Sequence, residues 1–275
     1  MLVNAKEMLC KARREHYAVP STNFVDWLTA ETYVNCAEKK NLPLILSFAE
    51  SHIPYLSLEE ASEMGRYFAN RASVPVVLHL DHGTNQDIIF RAMDLGFTSV
   101  MIDASQKTFE ENVAKTKAIV EEAHTRGVTV EAELGHVGSN DIGEAKEITD
   151  SIYTEAKDVV AFVEQTQVDS LAISIGTSHG LYHGEPHIHI ERLKEIAEVT
   201  DIPLVLHGGS SSGYDNLEQC ALNGIAKINI YTDFVVAAKK ALNEGGFADY
   251  FDGKDKVRAA VEAVLAKYYD VFHTA

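Results

Sequence analysis

Eight times over, this chain alternates a short run of aliphatic and β-branched residues with a longer, charged amphipathic segment, and few folds accommodate that rhythm. The apolar runs fall at 17–23 (YAVPSTN), 43–49 (PLILSFA), 75–80 (PVVLHL), 98–103 (TSVMID), 128–134 (VTVEAEL), 168–175 (VDSLAISI), 203–207 (PLVLH) and 225–230 (IAKINI). Helical patterns lie between and after them at 26–40, 58–72, 85–95, 107–126, 155–167, 189–199, 214–223 and 232–243. Strands that are apolar almost throughout, rather than alternately, are buried on both faces, as in a parallel sheet covered by helices. Eight such units in 275 residues predict an α/β fold of the (β/α)8 barrel type. A helix capped by Asn4 precedes the first strand, over Ala5 to Arg14, and an extra helix at about 255–270 closes the chain. An open, doubly wound sheet is the alternative, but no GxGxxG follows the first strand. With no linker, low-complexity tract or break in composition, residues 1–275 read as one domain.

Charge narrows the partners. The formal net charge is −17, so a nucleic-acid backbone is repelled, whereas a small phosphorylated ligand needs only a local site of the right kind. Cys10, Cys36 and Cys220 are odd in number, far apart and in no CxxC pattern, which predicts reduced thiols in a cytoplasmic protein. The start of the chain is charged from Lys6 onward and no apolar run reaches membrane-spanning length, so neither a signal peptide nor a membrane partner is expected.

In a (β/α)8 barrel the site lies at the C-terminal ends of the strands. Here those ends read Ser21-Thr22-Asn23, Ala49-Glu50-Ser51, Asp81-His82-Gly83, Asp103-Ala104-Ser105, Glu133-Leu134-Gly135, Thr177-Ser178-His179-Gly180, His207-Gly208-Gly209-Ser210 and Asn229-Ile230-Tyr231-Thr232. Nearly every end carries a group that binds metal, moves protons or holds anions, and a purely structural barrel has no need to gather them there. The pattern points to an enzyme.

His82, His179 and His207 stand just past the third, sixth and seventh strands. A lone loop histidine is ordinarily a hydrogen-bonded structural residue, but three at equivalent positions suit Zn²⁺, with coordination positions left for a substrate. His79 lies inside its strand and reads as a supporting group. His183, His187 and His189 cluster on a loop and helix start, where a surface or capping role is expected. The segment HGGSSSG (207–213) leads into one helix and Asn229-Ile230-Tyr231-Thr232 into another. Glycines that admit close backbone approach and two helix starts after strands seven and eight form the usual phosphate cradle of this fold.

Taken together, LDHG (80–83), MIDAS (101–105), EAELG (131–135), IGTSHG (175–180), LHGGS (206–210) and KIN (227–229) resemble the class II, zinc-dependent ketose-bisphosphate aldolases, the fructose- and tagatose-bisphosphate enzymes. The resemblance implies that His82, His179 and His207 bind the catalytic Zn²⁺, with Glu133 an alternative ligand and Asp103 a group close behind. It implies that Asp81 exchanges a proton with the C4 oxygen of the substrate. Gly180, Gly208, Ser210, Asn229 and Thr232 would hold the dihydroxyacetone-phosphate half, and Gly209, Tyr231 and Asn23 share those strand ends as further substrate contacts. The implied reaction is reversible retro-aldol cleavage to dihydroxyacetone phosphate and an aldehyde such as glyceraldehyde 3-phosphate. A monovalent cation, Na⁺ or K⁺, near the phosphate and a homodimer or homotetramer are further implications.

Three departures from the family pattern bear on substrate. In the family a mobile loop after ELG carries a glutamate that handles the carbanion proton; here the segment reads HVGSNDIGE (136–144), and the resemblance puts Asp141 at that position, with Glu144 as substitute if the loop folds differently. The second strand ends in Ala49 where relatives have a serine that touches phosphate. Tyr231 occupies the third position of the motif after strand eight. A distal phosphate needs a basic partner, for which Arg258, with Lys254 or Lys256, is the candidate; without one, the substrate is a ketose 1-phosphate with another tail. Two rivals remain open at this level: a Schiff-base aldolase using Lys227, and a non-catalytic phosphosugar-binding homologue.

Overall fold

A computed structural model describes residues 1–139, 153–180, 182 and 186–275. Eight parallel strands form its centre: β1 (Val19–Asn23), β2 (Leu44–Ala49), β3 (Val76–Gly83), β4 (Ser99–Ile102), β5 (Thr129–Leu134), β6 (Ser170–Ile173), β7 (Leu204–Leu206) and β8 (Ile225–Ile230). Each pairs with the next, and β8 pairs with β1 through Lys227↔Val19 to Ile230↔Thr22, so the sheet closes into a barrel. The helices α1 (Trp27–Lys40), α2 (Leu58–Arg71), α3 (Gln86–Leu95), α4 (Phe109–Thr125), α5 (Ala156–Thr166), α6 (Ile190–Val199), α7 (Tyr214–Leu222) and α8 (Thr232–Glu244) follow the strands in turn. Their starts are fixed locally where the sequence supplies caps. Asp26 with Thr29, Ser57 with Glu60 and Thr108 with Glu111 form reciprocal capping boxes at α1, α2 and α4.

Alternation along the strands divides the core in two. Leu44, Leu46, Val76, Leu78 and Leu80 face the helices. Val19, Ile45, Val77 and Ala226 instead pack with Met8, Leu9 and Ala12 of an N-terminal helix, Lys6–Glu15, which plugs the N-terminal end of the barrel. Above that plug the interior turns polar, and that layer leads up to the strand ends.

Several boundaries differ from the sequence reading. The N-terminal helix is capped at Ala5 without a side-chain bond, one residue past Asn4, although Asn4 Oδ1 still accepts from Lys6 N at 3.3 Å. The closing helix is longer than expected, Tyr250–Val271, because Asp249 caps it by accepting from Asp252 N. Leu2–Val3 adds a short ladder to the start of β3, and Gly138–Ser139 pairs with Ser178–His179. Neither of these two short ladders has a local apolar period of its own; each exists because tertiary structure brings a partner backbone alongside. Among the described residues no helix is long and apolar enough to cross a membrane.

Candidate active site and metal centre

The motif around Asp81 and His82 poses a geometric problem. Neighbouring residues in a regular strand point to opposite faces, so one of the pair should face the helices. The strand does not stay regular. The register of β3 against β4 shifts between Leu80 and Gly83, and His82 adopts φ +49°, the left-handed region that a β-carbon disfavours. The bulge brings both side chains to the cleft at the barrel mouth. Gly83 makes it possible: a Cβ there would lie 2.4 Å from the Met101 carbonyl oxygen and 2.7 Å from Ile89 Cγ1.

Ligand atoms of His82, His179 and His207 lie within 4.8 Å of one another, and the rings are 4.5 to 5.8 Å apart between centroids. Their second nitrogens show what the cluster is built for. His82 Nδ1 is 2.9 Å from Asp103 Oδ2, which leaves Nε2 for the cleft. His207 Nε2 is 3.0 Å from Glu131 Oε1, and its Nδ1 is buried without a hydrogen-bond partner. His179 Nε2 is likewise buried and unpartnered. Buried imidazole nitrogens left in this state are costly unless they coordinate something. The donor set fits a divalent cation such as Zn²⁺, and His82, Asp103 and Glu133 form an overlapping group of the same span.

Glu133, completely buried on β5, accepts from Val137 N at 3.0 Å. Its Oε2 stands 3.1 Å from His207 Nδ1 without the alignment of a hydrogen bond, so both atoms remain available to a metal. Burial opposes ionisation of Glu133, but His136 and His207 outweigh it and hold its pKa well below the ordinary carboxylate value. His179 is the reverse: burial, reinforced by the charges of His82 and His207, lowers it to about 3, so its lone pair is free at neutral pH.

Asp81 is 1% exposed and held from both sides. Asn23 Nδ2 donates to Oδ2 and Asn229 Nδ2 to Oδ1, each at 3.0 Å. Burial would raise its pKa, but His82, Lys227 and His207 together bring it well below the usual range. The result is an ionised carboxylate beside the imidazole cluster, with the carbonyl oxygens of both asparagines buried and unpartnered next to it.

The loops after β6, β7 and β8 meet on the other side of the cleft. Gly180 (φ +86°), Gly208 (φ +65°), Ser210, Asn229 and Tyr231 line it. Gly208 passes so close to Ser178 that a Cβ would meet its carbonyl oxygen at 2.5 Å. Ser210 Oγ accepts from Tyr231 N at 3.1 Å and Asp233 N at 3.3 Å, which ties the β7 loop to the start of α8. Gly209 serves packing instead, against Ile228 and Ile230, and Thr232 is the first residue of α8.

Arg258 is a correction. It lies on the closing helix with its guanidinium committed to Glu31 and Asp255, both at 2.7 Å, and it does not line the cleft. Lys254 lines an adjoining cavity that meets the cleft at Asn23 and Tyr231. Lys227 is buried in the barrel and donates to both oxygens of Glu131, away from the cleft, which removes the support for a Schiff-base reading. His79 is buried beneath the cleft as a supporting group, 2.9 Å from Ser99 Oγ. His187 and His189 are exposed, and His189 occupies the N-cap position of α6 without a side-chain cap bond. Asp141, Glu144 and His183 lie outside the described residues.

Sequence reasoning passed over His52, which is buried on the turn after β2, lines the cleft and packs against Tyr231 at 4.9 Å between ring centroids. It also passed over Glu131. The clue was available: two glutamates at a spacing of two on an otherwise apolar strand face the same way.

Known proteins give the same picture. Residues 3–275 match the family model described as fructose-bisphosphate aldolase class-II. The chain is 38% identical over 269 residues to a fructose-bisphosphate aldolase of Staphylococcus epidermidis, covering 96% of this chain and 93% of that protein. The crystal structure of the YdjI aldolase from Escherichia coli K12 superimposes with a TM-score of 0.90 at 34% identity, over 100% of this chain and 98% of that one. A fructose-bisphosphate aldolase from Campylobacter jejuni, at 20% identity, shares the fold with a TM-score of 0.81. With a family match along almost its whole length and a barrel that gathers its histidines and carboxylates at one mouth, the chain belongs to the class II fructose-bisphosphate aldolase family.

Proposed function

We propose that this aldolase reversibly cleaves a ketose 1,6-bisphosphate, of the fructose or tagatose type, to dihydroxyacetone phosphate and an aldehyde such as glyceraldehyde 3-phosphate, with Zn²⁺ as its metal. The observation that carries the reading is the pair of buried, unpartnered nitrogens on His179 and His207 beside the ionised Asp81. His82, His179 and His207 would hold the metal, with Glu133 able to exchange in and Asp103 orienting His82. A metal there supplies Lewis-acid stabilisation of the negative charge left on the three-carbon fragment when C3–C4 breaks.

Asp81 takes the proton of the C4 hydroxyl. Asn23 and Asn229 aim its two oxygens and offer their own carbonyl oxygens to neighbouring substrate hydroxyls. Gly180, Gly208, Ser210, Asn229, Tyr231 and Thr232 cradle the C1 phosphate, where backbone can approach closely and α8 begins. Protonation of the carbanion falls to Asp141. A monovalent cation, Na⁺ or K⁺, beside that phosphate belongs to the proposal by family likeness. So does assembly into a homodimer or homotetramer, supported by Tyr250 and Phe251, both more than 70% exposed at the start of the closing helix. Three free thiols support a cytoplasmic setting.

One observation favours a second reading of the substrate. With Arg258 held by two carboxylates, a distal phosphate lacks the partner assigned to it, which fits a ketose 1-phosphate with another tail. The test is cleavage of fructose 1,6-bisphosphate, tagatose 1,6-bisphosphate and fructose 1-phosphate by metal-analysed protein, with and without chelator, followed through dihydroxyacetone phosphate. Chelator-sensitive cleavage restored by Zn²⁺ supports the reading, and the ranking of the three selects the tail. Bound zinc without cleavage removes the substrate assignment; absence of both removes the three-histidine site.

A further inference from the structure

Below the imidazole cluster lies a line of buried polar groups that the proposed chemistry does not use. Lys227 on β8 and Glu131 on β5 are each 1% exposed and meet across the barrel axis, Nζ lying 2.9 Å from Oε1 and 2.8 Å from Oε2. His207 Nε2 shares Oε1 at 3.0 Å. On the other side, Lys227 Nζ is 3.4 Å from His79 Nε2, whose ring bonds Ser99 through Nδ1. His79, Asp81 and Glu131 would themselves suit a cation, but the ammonium already sits among them.

We propose that Glu131 and Lys227 are positioning residues that decide which nitrogen of His207 faces the metal. The proposal rests on the reading that the three imidazoles hold that metal. A carboxylate offers only lone pairs, and Glu131 is the carboxylate aligned for a hydrogen bond, so the His207 nitrogen facing it must carry the hydrogen; Glu133 Oε2 stands 3.1 Å from Nδ1 without that alignment, which leaves the Nδ1 lone pair for a metal. Lys227 holds both oxygens of Glu131, so the carboxylate cannot turn away from Nε2. A metal ligand fixed from behind in this way binds with its orientation and tautomer already set.

The network predicts an unusual double-mutant result. In Glu131→Gln, Lys227 draws the amide carbonyl oxygen to itself, and the amide N–H group then faces His207 Nε2 as a donor. The imidazole must move its hydrogen to Nδ1, against the metal. Zn²⁺ affinity, read by competition with a chromophoric chelator, should fall by about 10–100-fold. In Glu131→Gln/Lys227→Met the amide is released and presents its carbonyl to Nε2–H again. The double variant should therefore bind Zn²⁺ about fivefold more tightly than Glu131→Gln alone, a coupling that independent structural damage does not produce. Circular dichroism of the metal-free variants establishes that they are folded.

Glu131→Gln affinity within about threefold of the parent, or a double variant no tighter than the single, overturns the proposal. Should the variants fail to fold, ¹⁵N spectra of the zinc-loaded parent decide it: a hydrogen on His207 Nε2 supports the proposal and one on Nδ1 overturns it. A parent that binds no Zn²⁺ refutes the metal site itself, whereas a parent that binds it beside an unaffected Glu131→Gln refutes only the positioning role.

Discussion

Replacing Asp81 by asparagine separates what this residue does for chemistry from what it does for the fold. The side chain keeps its volume but loses its charge and one acceptor. Asn23 and Asn229 donate to different oxygens of Asp81 at 3.0 Å, so an amide at 81 must face one of them donor to donor. Both asparagines hold a buried, unpartnered carbonyl oxygen, so rotating one amide restores a matched pair. A hydrogen bond to a charged group contributes about 1.5–3 kcal/mol, and removing a buried charge returns part of that. The net loss is then about 1–2 kcal/mol, or roughly 2–8 °C in Tm for a chain of this size. Loss of a general base lowers kcat by about 10²–10⁴-fold, equivalent to about 3–5 kcal/mol of barrier. Coupled detection of dihydroxyacetone phosphate measures the cleavage. Exchange of the C3 hydrogen of dihydroxyacetone phosphate with deuterated solvent should survive, because that proton belongs to another group. Retention of more than about a tenth of kcat, or loss of exchange in parallel with cleavage, refutes the assignment of Asp81 as base for the C4 hydroxyl.

Gly83→Ala should cost about 1–3 kcal/mol in denaturant unfolding and weaken Zn²⁺ binding together, since the Cβ meets Met101 oxygen at 2.4 Å in the bulge that aims His82; a parent-like midpoint and affinity would refute the steric argument. Metal affinity should rise with pH. Burial opposes charging of His82, but Asp81 and Asp103 outweigh it and lift the pKa in the metal-free protein to about 10. A proton must therefore leave before a metal enters, and binding weakens as pH falls below that value; affinity flat from pH 6 to 9, roughly the range to titrate, would contradict it. Dialysis against chelator should lower Tm and abolish cleavage; Zn²⁺ should restore both, adding about 4 kcal/mol of stability at a thousandfold excess over Kd. Of the three thiols, Cys10 should react with a disulfide reagent at about pH 8. Burial raises Cys36 to about 11 and Cys220 to about 12, so both should stay silent until the protein unfolds; rapid labelling of either in the native protein would show the core to be open.

Much of this molecule is legible in its sequence because the relevant information is local. The eight strands announce themselves through apolar runs, and once a barrel follows from their number, polar residues at the run ends must converge on one mouth. That argument reaches His82, His179, His207, Asp81 and the Gly208–Ser210 turn without any knowledge of distances. It fails where a residue's surroundings come from afar. Arg258 looks like an available cation until α1 brings Glu31 against it. Lys227 looks like a nucleophile until β5 places Glu131 within hydrogen-bond reach. His52 looks like a loop residue until barrel closure brings β8 to the far side of β1 and His52 packs against Tyr231.

By itself, the sequence determined the kind of fold, the end of the barrel that carries the chemistry and the residue types gathered there, because hydrophobic period and strand order are properties of the chain. Only the tertiary structure decided how those residues face. Asp81 and His82 are adjacent and should point apart; a register shift against β4, with His82 at φ +49° and room only for glycine at 83, turns both to the cleft. His207 has two nitrogens that the sequence cannot tell apart, and a glutamate 76 residues away bonds one, while the other stands 3.1 Å from Glu133 without hydrogen-bond alignment. Orientation depends on contacts between distant segments, and such contacts exist only once the barrel has closed.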